Sequence, residues 1–382
     1  NNKLSTGEAF ILEKLKNALC VENLISFFEE TEKMLRHYPD GEFVFVRFDI
    51  DRFQLVNAFF GTTEGDKLLK YISKSLIEFG NTQKVCCYGR IEADVFGICR
   101  MRDLENPVKL EMLDKSRKAL AEYNTSYDIV PSFGIYYITD KSLPVDIMYD
   151  RAKMATKPCK GNYINYYAVY DEKMSEEIER EQRITNEMNI ALEQNQFVIF
   201  LQPKYNLKTN TPAGAEALVR WMHPKNGLIS PGQFIPVFER NGFISKLDYY
   251  VWEKTCILIR KWLDEGKNVY PISVNISRVN LYNPKLAELI FNLTQKYDIA
   301  PALLNLELTE SAYVDNPTAM SETMSKLQSM GFVIMMDDFG SGYSSLALLK
   351  DIALDVLKID MLFLSKTEIP GRGENIIASV IR

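Results

Sequence analysis

Apolar positions recur three and four residues apart in "AFILEKLKNAL" and "LISFFEETEKML", which predicts helix over much of residues 5–38. The run Phe43 to Phe48 in "EFVFVRFDID" favours extended backbone instead, and two acids close that strand. Next, "FQLVNAFFGTTEGDKLLKYISKSLIEF" reads as helix, turn and helix, and "KVCCYGRIEADVFGICRM" as a hairpin. A helix around 107–124, the strand "YDIVPSFGIYYI" and a helix near 145–157 complete an alternating α/β domain, 1–170, that ends near Tyr170. The segment 171–194 is charged, with a narrow apolar stripe at Met174, Ile178 and Ile184, and predicts a connecting helix. A solvated connector and a lever between domains fit it equally.

From about 197 the pattern changes. After "FVIFLQPKYNL" and "AGAEALVRW", the strings "VYPISVNIS", "LLNLELTES", "GFVIMMDDFG" and "LDVLKIDMLF" each begin apolar and finish polar or acidic, with helical segments at 286–296 and 317–330 between. Strand, helix, strand at this interval predicts parallel crossovers, and acids at successive strand ends predict one mouth above a barrel formed by 195–382. Those ends carry Glu216, Asn275, Glu307, Glu310, Asp337, Asp338, Lys358 and Asp360. Acids gathered on one face repel unless they are compensated. Two divalent ions about 3.5–4 Å apart, with Lys358 beside them, would make the cluster favourable and catalytic. Asp337 and Asp338 are therefore expected as metal ligands, and "GSGYSS" as the pliable loop next to them. Met335 and Met336 read as core, and His223 as a structural loop residue.

Composition narrows the chemistry. The 382 residues and 46% hydrophobic content supply two cores, and the net charge of -6 gives no general attraction to DNA or RNA. Six cysteines without zinc-ligand spacing fit a reducing compartment, so a cytoplasmic location is expected. Only two histidines are present, so a metal site must be mostly oxygen-ligated, which points to Mg2+ or Mn2+. There is no run of 18 apolar residues. The chain starts at Asn, so a sensor or membrane anchor upstream in the parent protein is compatible with it.

The first half resembles the GGDEF family of bacterial diguanylate cyclases. "FDIDRF" matches that family's first metal-binding strand end with Asp49 and Asp51, "VNAFFG" its guanine-contact turn with Asn57, and Asp66 in "EGDKLL" the second guanine contact. In the signature hairpin "RIEADVF" the glycine pair is replaced by Glu92 and Ala93, Asp94 is kept, and the metal-linked acid is Val95. Side chains at 92 and 93 would crowd a triphosphate, and Val95 offers no oxygen. The arginine and aspartate of the inhibitory site fall on Gln83 and Cys86. The resemblance thus implies no cyclic di-GMP synthesis. It leaves three roles open: GTP held as a regulatory ligand by Asp49, Asp51, Asn57 and Asp66, a folded remnant used for packing or dimerisation, or an altered ligand.

The second half resembles the EAL family of cyclic di-GMP phosphodiesterases in five ordered strings, "AEALVRW", "SVNIS", "ELTES", "DDFGSGYSSL" and "LKID". The resemblance implies a TIM-like (β/α) barrel that uses Mg2+ or Mn2+ to open cyclic di-GMP to linear pGpG. By position, Glu216, Asn275, Glu307 and Asp337 correspond to ligands of the first ion, and Asp338 adds to the second. Lys358 corresponds to the lysine that helps position or activate water, and Glu310 to the glutamate that steadies the loop after the aspartates. Gln202, Arg220 and Asp360 correspond to substrate contacts, and pairing of two copies through the barrel is implied. The family continues past "LKID" with an "AEGVE"-like segment and a "QG" segment, which this chain lacks, so an incomplete barrel is expected. An active phosphodiesterase and a catalytically silent cyclic di-GMP receptor or scaffold both remain open on these residues.

Overall fold

Strand β1 (Phe43–Ile50) is buried at every position, and its alternate residues feed two different cores. Val44, Val46 and Phe48 pack with Leu68, Ile72 and Leu76 of the helix Thr62–Thr82. Phe43 and Phe45 pack instead with Phe27 and Met34 of the helix Leu24–His37 and Met148 of the helix Val145–Thr156. A strand covered on both faces needs a continuous apolar run rather than an alternation, which "FVFVRF" provides.

A computed structural model describes residues 24–102, 110–123, 128–309, 317–339 and 354–360. The chain divides into two compact units between Glu179 and Arg180. In the first, β2 (Cys86–Glu92), β3 (Val95–Met101), β1, β4 (Pro131–Ile138) and β5 (Tyr167–Val169) form one sheet in that order. The helix, turn and helix expected after β1 are present as Phe53–Phe60 and Thr62–Thr82, joined at Gly61 with a φ of 85°. The expected hairpin is β2 and β3. Gly134 of β4 has no substitute, because a Cβ there would run into the carbonyl oxygen of Ala152.

A helix spans Glu172–Glu193, as the charged segment predicts, with Ile184 and Ala191 buried. The second unit contains a seven-stranded sheet in which β12 (Val356–Ile359), β11 (Ile334–Phe339), β10 (Leu304–Thr309), β9 (Ile272–Asn275), β7 (Thr211–His223) and β6 (Phe197–Asn206) are neighbours in turn, with β8 (Gly227–Ile229) on β7. From β7 through β9, β10 and β11 to β12 the neighbours are parallel, as predicted. β6 and β7 are antiparallel, because the few residues between them cannot hold a crossover. Asn206 instead closes a tight turn, its Oδ1 accepting from the backbone N–H of Lys208 at 2.9 Å.

The core of this unit is rich in aromatic side chains. Phe197, Trp221, Phe234 and Phe238 stack at centroid distances of 5.2–6.3 Å, and all are at least 98% buried. Met336 is 1% and Met335 7% exposed, in keeping with core filling. His223 accepts through Nδ1 from the N–H groups of Lys225 and Asn226, and its Nε2 lies 2.8 Å from Glu187, so its role is structural. Among the described residues the sheet is open, with β6 and β12 at its edges, and no helix is long and apolar enough to cross a membrane.

Candidate metal centre

The register of the parallel strands brings their acidic residues together, although Glu216, expected to close its strand, lies inside β7. Glu216 on β7 lies opposite Ser273 on β9, Asn275 opposite Glu307 on β10, and Thr309 opposite Asp337 on β11. Carboxylate oxygens of Glu216, Glu307 and Asp337 all fall within 4.8 Å of one another. The Lys358 ammonium, on β12, donates to all three, at 2.9 Å to Glu216, 2.6 Å to Glu307 and 2.7 Å to Asp337. Asn275 Nδ2 donates to Glu216 Oε1 at 3.2 Å.

Glu307 has no solvent exposure, so its charge must be met inside the protein. A second ammonium does this. Lys204 of β6 donates to Glu307 Oε1 at 2.6 Å and to Ser273 Oγ at 2.6 Å. Burial pushes the Glu307 carboxyl up, but hydrogen bonds from Lys204, Lys358 and Ser273 outweigh it and hold it below the usual range. Burial likewise opposes the charge on Lys358, and its bonds to Asp337, Glu307 and Glu216 prevail, keeping it an ammonium.

Asp338 adopts a φ of 56°, a left-handed conformation that Asp tolerates better than most residues. A register shift between Met336 and Phe339 breaks the alternation there, so the neighbouring acids need not point to opposite faces. The Asp338 carboxyl is raised by partial burial and by the negative charges of Asp337 and Asp360. Asp360 is half-buried, and its N–H donates to Phe339 O at 3.2 Å. Gln202 is exposed, directly across the β6–β7 pair from Glu216. Arg220 donates to Val219 O at 2.8 Å and stands over the Phe200 ring at 5.7 Å. Glu310 and the "GSGYSS" loop lie outside the described residues.

Three carboxylates and an amide oxygen are a donor set suited to a hard divalent ion. The Lys358 ammonium, shared by three acids, shows that a positive charge is what this centre binds. Mg2+ or Mn2+ therefore fits the residues present. Lys204 and Ser273 are not among the residues that the sequence singles out. Their signal is weak: each lies two positions from an expected site residue, Gln202 or Asn275, on the same face of its strand.

The first unit offers a different picture. Asp49 is buried, and its Oδ2 meets both Arg47 at 3.1 Å and Lys160 at 2.7 Å. Asp51 accepts from Ser132 Oγ at 2.8 Å and from the Gly161 N–H at 2.6 Å. Asp94 is half-buried, its carboxyl raised by burial and by Asp49. Asn57 is half-buried against Gly65, and Asp66 is exposed. Val95 sits in the apolar core at 6% exposure. Asp49 Oδ2 thus meets two cations while its buried Oδ1 has no hydrogen-bond partner among the described residues, and Val95 offers no oxygen.

Residues 185–382, just over half of the chain, match the EAL domain, and residues 20–165 match the diguanylate cyclase GGDEF domain. The chain belongs to the EAL family. It is a tandem of GGDEF and EAL domains, as its motifs imply. It is 29% identical over 375 residues to the bifunctional diguanylate cyclase/cyclic di-GMP phosphodiesterase MucR of Pseudomonas aeruginosa, covering 97% of this chain and 54% of that protein. It is 27% identical over 338 residues to the cyclic di-GMP phosphodiesterase NbdA of the same organism, covering 87% of this chain and 43% of that protein. The chain thus spans about half the length of these curated relatives. The S helix-GGDEF-EAL structure of LapD from Vibrio cholerae, bound to c-di-GMP, superposes with a TM-score of 0.50 at 16% identity, over 99% of this chain and 90% of that one. That likeness is one of fold, and it matches the expected cyclase-like domain followed by a TIM-like EAL domain.

Proposed function

We propose that the EAL domain is a metal-dependent phosphodiesterase that opens cyclic di-GMP to linear pGpG. The observation that carries this reading is the convergence of Glu216, Glu307 and Asp337 around the Lys358 ammonium. In this reading Glu216, Asn275, Glu307 and Asp337 hold one Mg2+ or Mn2+ ion and Asp338 contributes to a second. When bound, such ions lower the pKa of water and take up charge developing on the phosphate. Lys358 donates to phosphate oxygens or to the attacking water, Arg220 supplies a forked donor to phosphate, and Gln202 and Asp360 contact the nucleotide. Glu310 steadies the loop that follows the aspartates. We place the domains at 1–170 and 195–382 with 171–194 connecting them, and assign the GGDEF domain a regulatory or structural role without cyclase chemistry. Pairing of two chains through the EAL domain belongs to the same reading.

A second reading, a silent cyclic di-GMP receptor, is favoured by one observation: Lys204 and Lys358 already satisfy both oxygens of Glu307 without a divalent ion. Incubation of the purified chain with cyclic di-GMP and Mn2+, followed by chromatography, separates the two. Formation of pGpG that is lost with chelator and in Glu216→Ala supports the phosphodiesterase. Binding of cyclic di-GMP without product assigns the receptor.

A further inference from the structure

We propose that Lys204 is a resident counter-charge that holds down the affinity of the EAL site for divalent cations. The proposal rests on the metal-dependent reading above and deepens it.

Lys204 belongs to β6, the edge strand, yet its ammonium reaches Ser273 on β9 and Glu307 on β10. The residue paired with it on the intervening β7 is Gly214, which puts no side chain in the way. The backbone requires that glycine as well, since a Cβ at 214 would stand 2.8 Å from Pro271 O. The lysine stem therefore crosses a lane kept clear by its neighbour.

The two ammoniums divide Glu307 between them. Lys358 takes Oε2 and is shared with Glu216 and Asp337, whereas Lys204 takes Oε1 and, among the described residues, bonds no other carboxylate in the cluster. Because Glu307 is fully buried, its charge is met by these two ammoniums rather than by bulk water. A divalent ion using this carboxylate would sit within a few ångströms of the Lys204 charge, and at that range inside a protein like charges repel strongly. Lys358 shares Glu216, Glu307 and Asp337 with any ion held by those acids, so an entering cation competes with it for all three partners. Lys204 is fixed by Ser273 and bordered by Met335, whose Sδ lies 3.8 Å away. Its charge thus persists in the loaded site and weakens binding, so that the acids bind a metal reversibly rather than hold it as a permanent structural ion.

The test titrates the full chain with Mn2+ alone by calorimetry, comparing wild type with Lys204→Met, Lys204→Gln and Lys204→Arg. Lys204→Gln keeps a donor for Glu307 and Ser273 while removing the charge, and serves where Lys204→Met fails to fold. Both neutral variants are expected to bind Mn2+ about tenfold more tightly or better, with a lower melting temperature in the absence of metal, and Lys204→Arg is expected to keep wild-type affinity. Equal or weaker Mn2+ binding by a folded neutral variant would overturn the proposal, and would make Lys204 a residue that merely positions Glu307. Failure of every form to bind Mn2+ overturns this proposal together with the metal-dependent reading. Wild-type Mn2+ binding without pGpG formation removes the phosphodiesterase alone, and the comparison of affinities still decides the role of Lys204.

Discussion

Trp252 donates its indole N–H to the backbone oxygen of Asn275 at 3.0 Å. Asn275 ends β9 and reaches Glu216 with its side chain, so a helix outside the sheet fixes where one side of the acid cluster points. Trp252→Phe keeps most of the ring volume and removes this donor. The loss of one buried hydrogen bond is expected to destabilise the EAL domain by about 1–2 kcal/mol. Mn2+ affinity, measured by calorimetry, should weaken several-fold as Asn275 loosens. An unchanged affinity would show that the strand holds Asn275 without help.

One turn before Trp252, Asp248 accepts from the Ser277 N–H and from Asn280 Nδ2, both at 2.8 Å. Burial pushes its carboxyl from 3.8 up to about 6, with these hydrogen bonds opposing the shift and Glu239 adding to it. Between those values the folded chain keeps a proton that the unfolded chain has released, so stability falls as pH rises through the window. The loss is complete about one pH unit above the folded value and amounts to roughly 2–3 kcal/mol. Asp248→Asn removes it. The three tryptophans, Trp221, Trp252 and Trp262, all lie in the second unit, so their fluorescence during urea unfolding reports on that unit alone. The wild type should lose stability relative to Asp248→Asn between about pH 4 and 7, and parallel curves would refute the assignment.

These two residues also show what a sequence conceals. Asn275, Glu307 and Asp337 were legible because each lies at or near the end of an apolar run, whereas Glu216, expected to close its strand, lies inside β7 with Ala217, Leu218 and Val219 after it and joins the others through the register with β9. β1 was legible for a similar reason, since a run apolar at nearly every position suits a strand covered on both faces. Lys204 gives no such signal. Its role depends on β6 pairing with β7, on the absence of a side chain at Gly214, and on a residue 103 positions away along the chain. Asp248 looks like an ordinary helical acid until the turn after β9 folds against it. Long-range pairing, rather than local pattern, supplies these contacts. The antiparallel start of the second sheet was not foreseen, although the shortness of the connection between β6 and β7 accounts for it.

The GGDEF domain permits a prediction of opposite signs at two neighbouring positions. Ala93, in the tight connection of the hairpin, has a φ of 28°, in the range where a side chain is strained and glycine is not. Ala93→Gly should therefore leave stability unchanged or raise it by up to about 1 kcal/mol, the relief of strain offsetting the entropy of a freer unfolded chain. Val95, two residues on, lies in the apolar cluster with Phe27, Phe45 and Cys99. Val95→Glu restores the acid of the cyclase pattern but buries it among these side chains, which should cost a few kcal/mol. Thermal melts followed by circular dichroism read both effects. Neither variant should make cyclic di-GMP from GTP and Mg2+, because Asp49 remains tied to Arg47 and Lys160 whichever residue stands at 93 or 95. Chromatographic detection of cyclic di-GMP from either variant would show that those ion pairs open for a metal, and that the hairpin alone had silenced the domain.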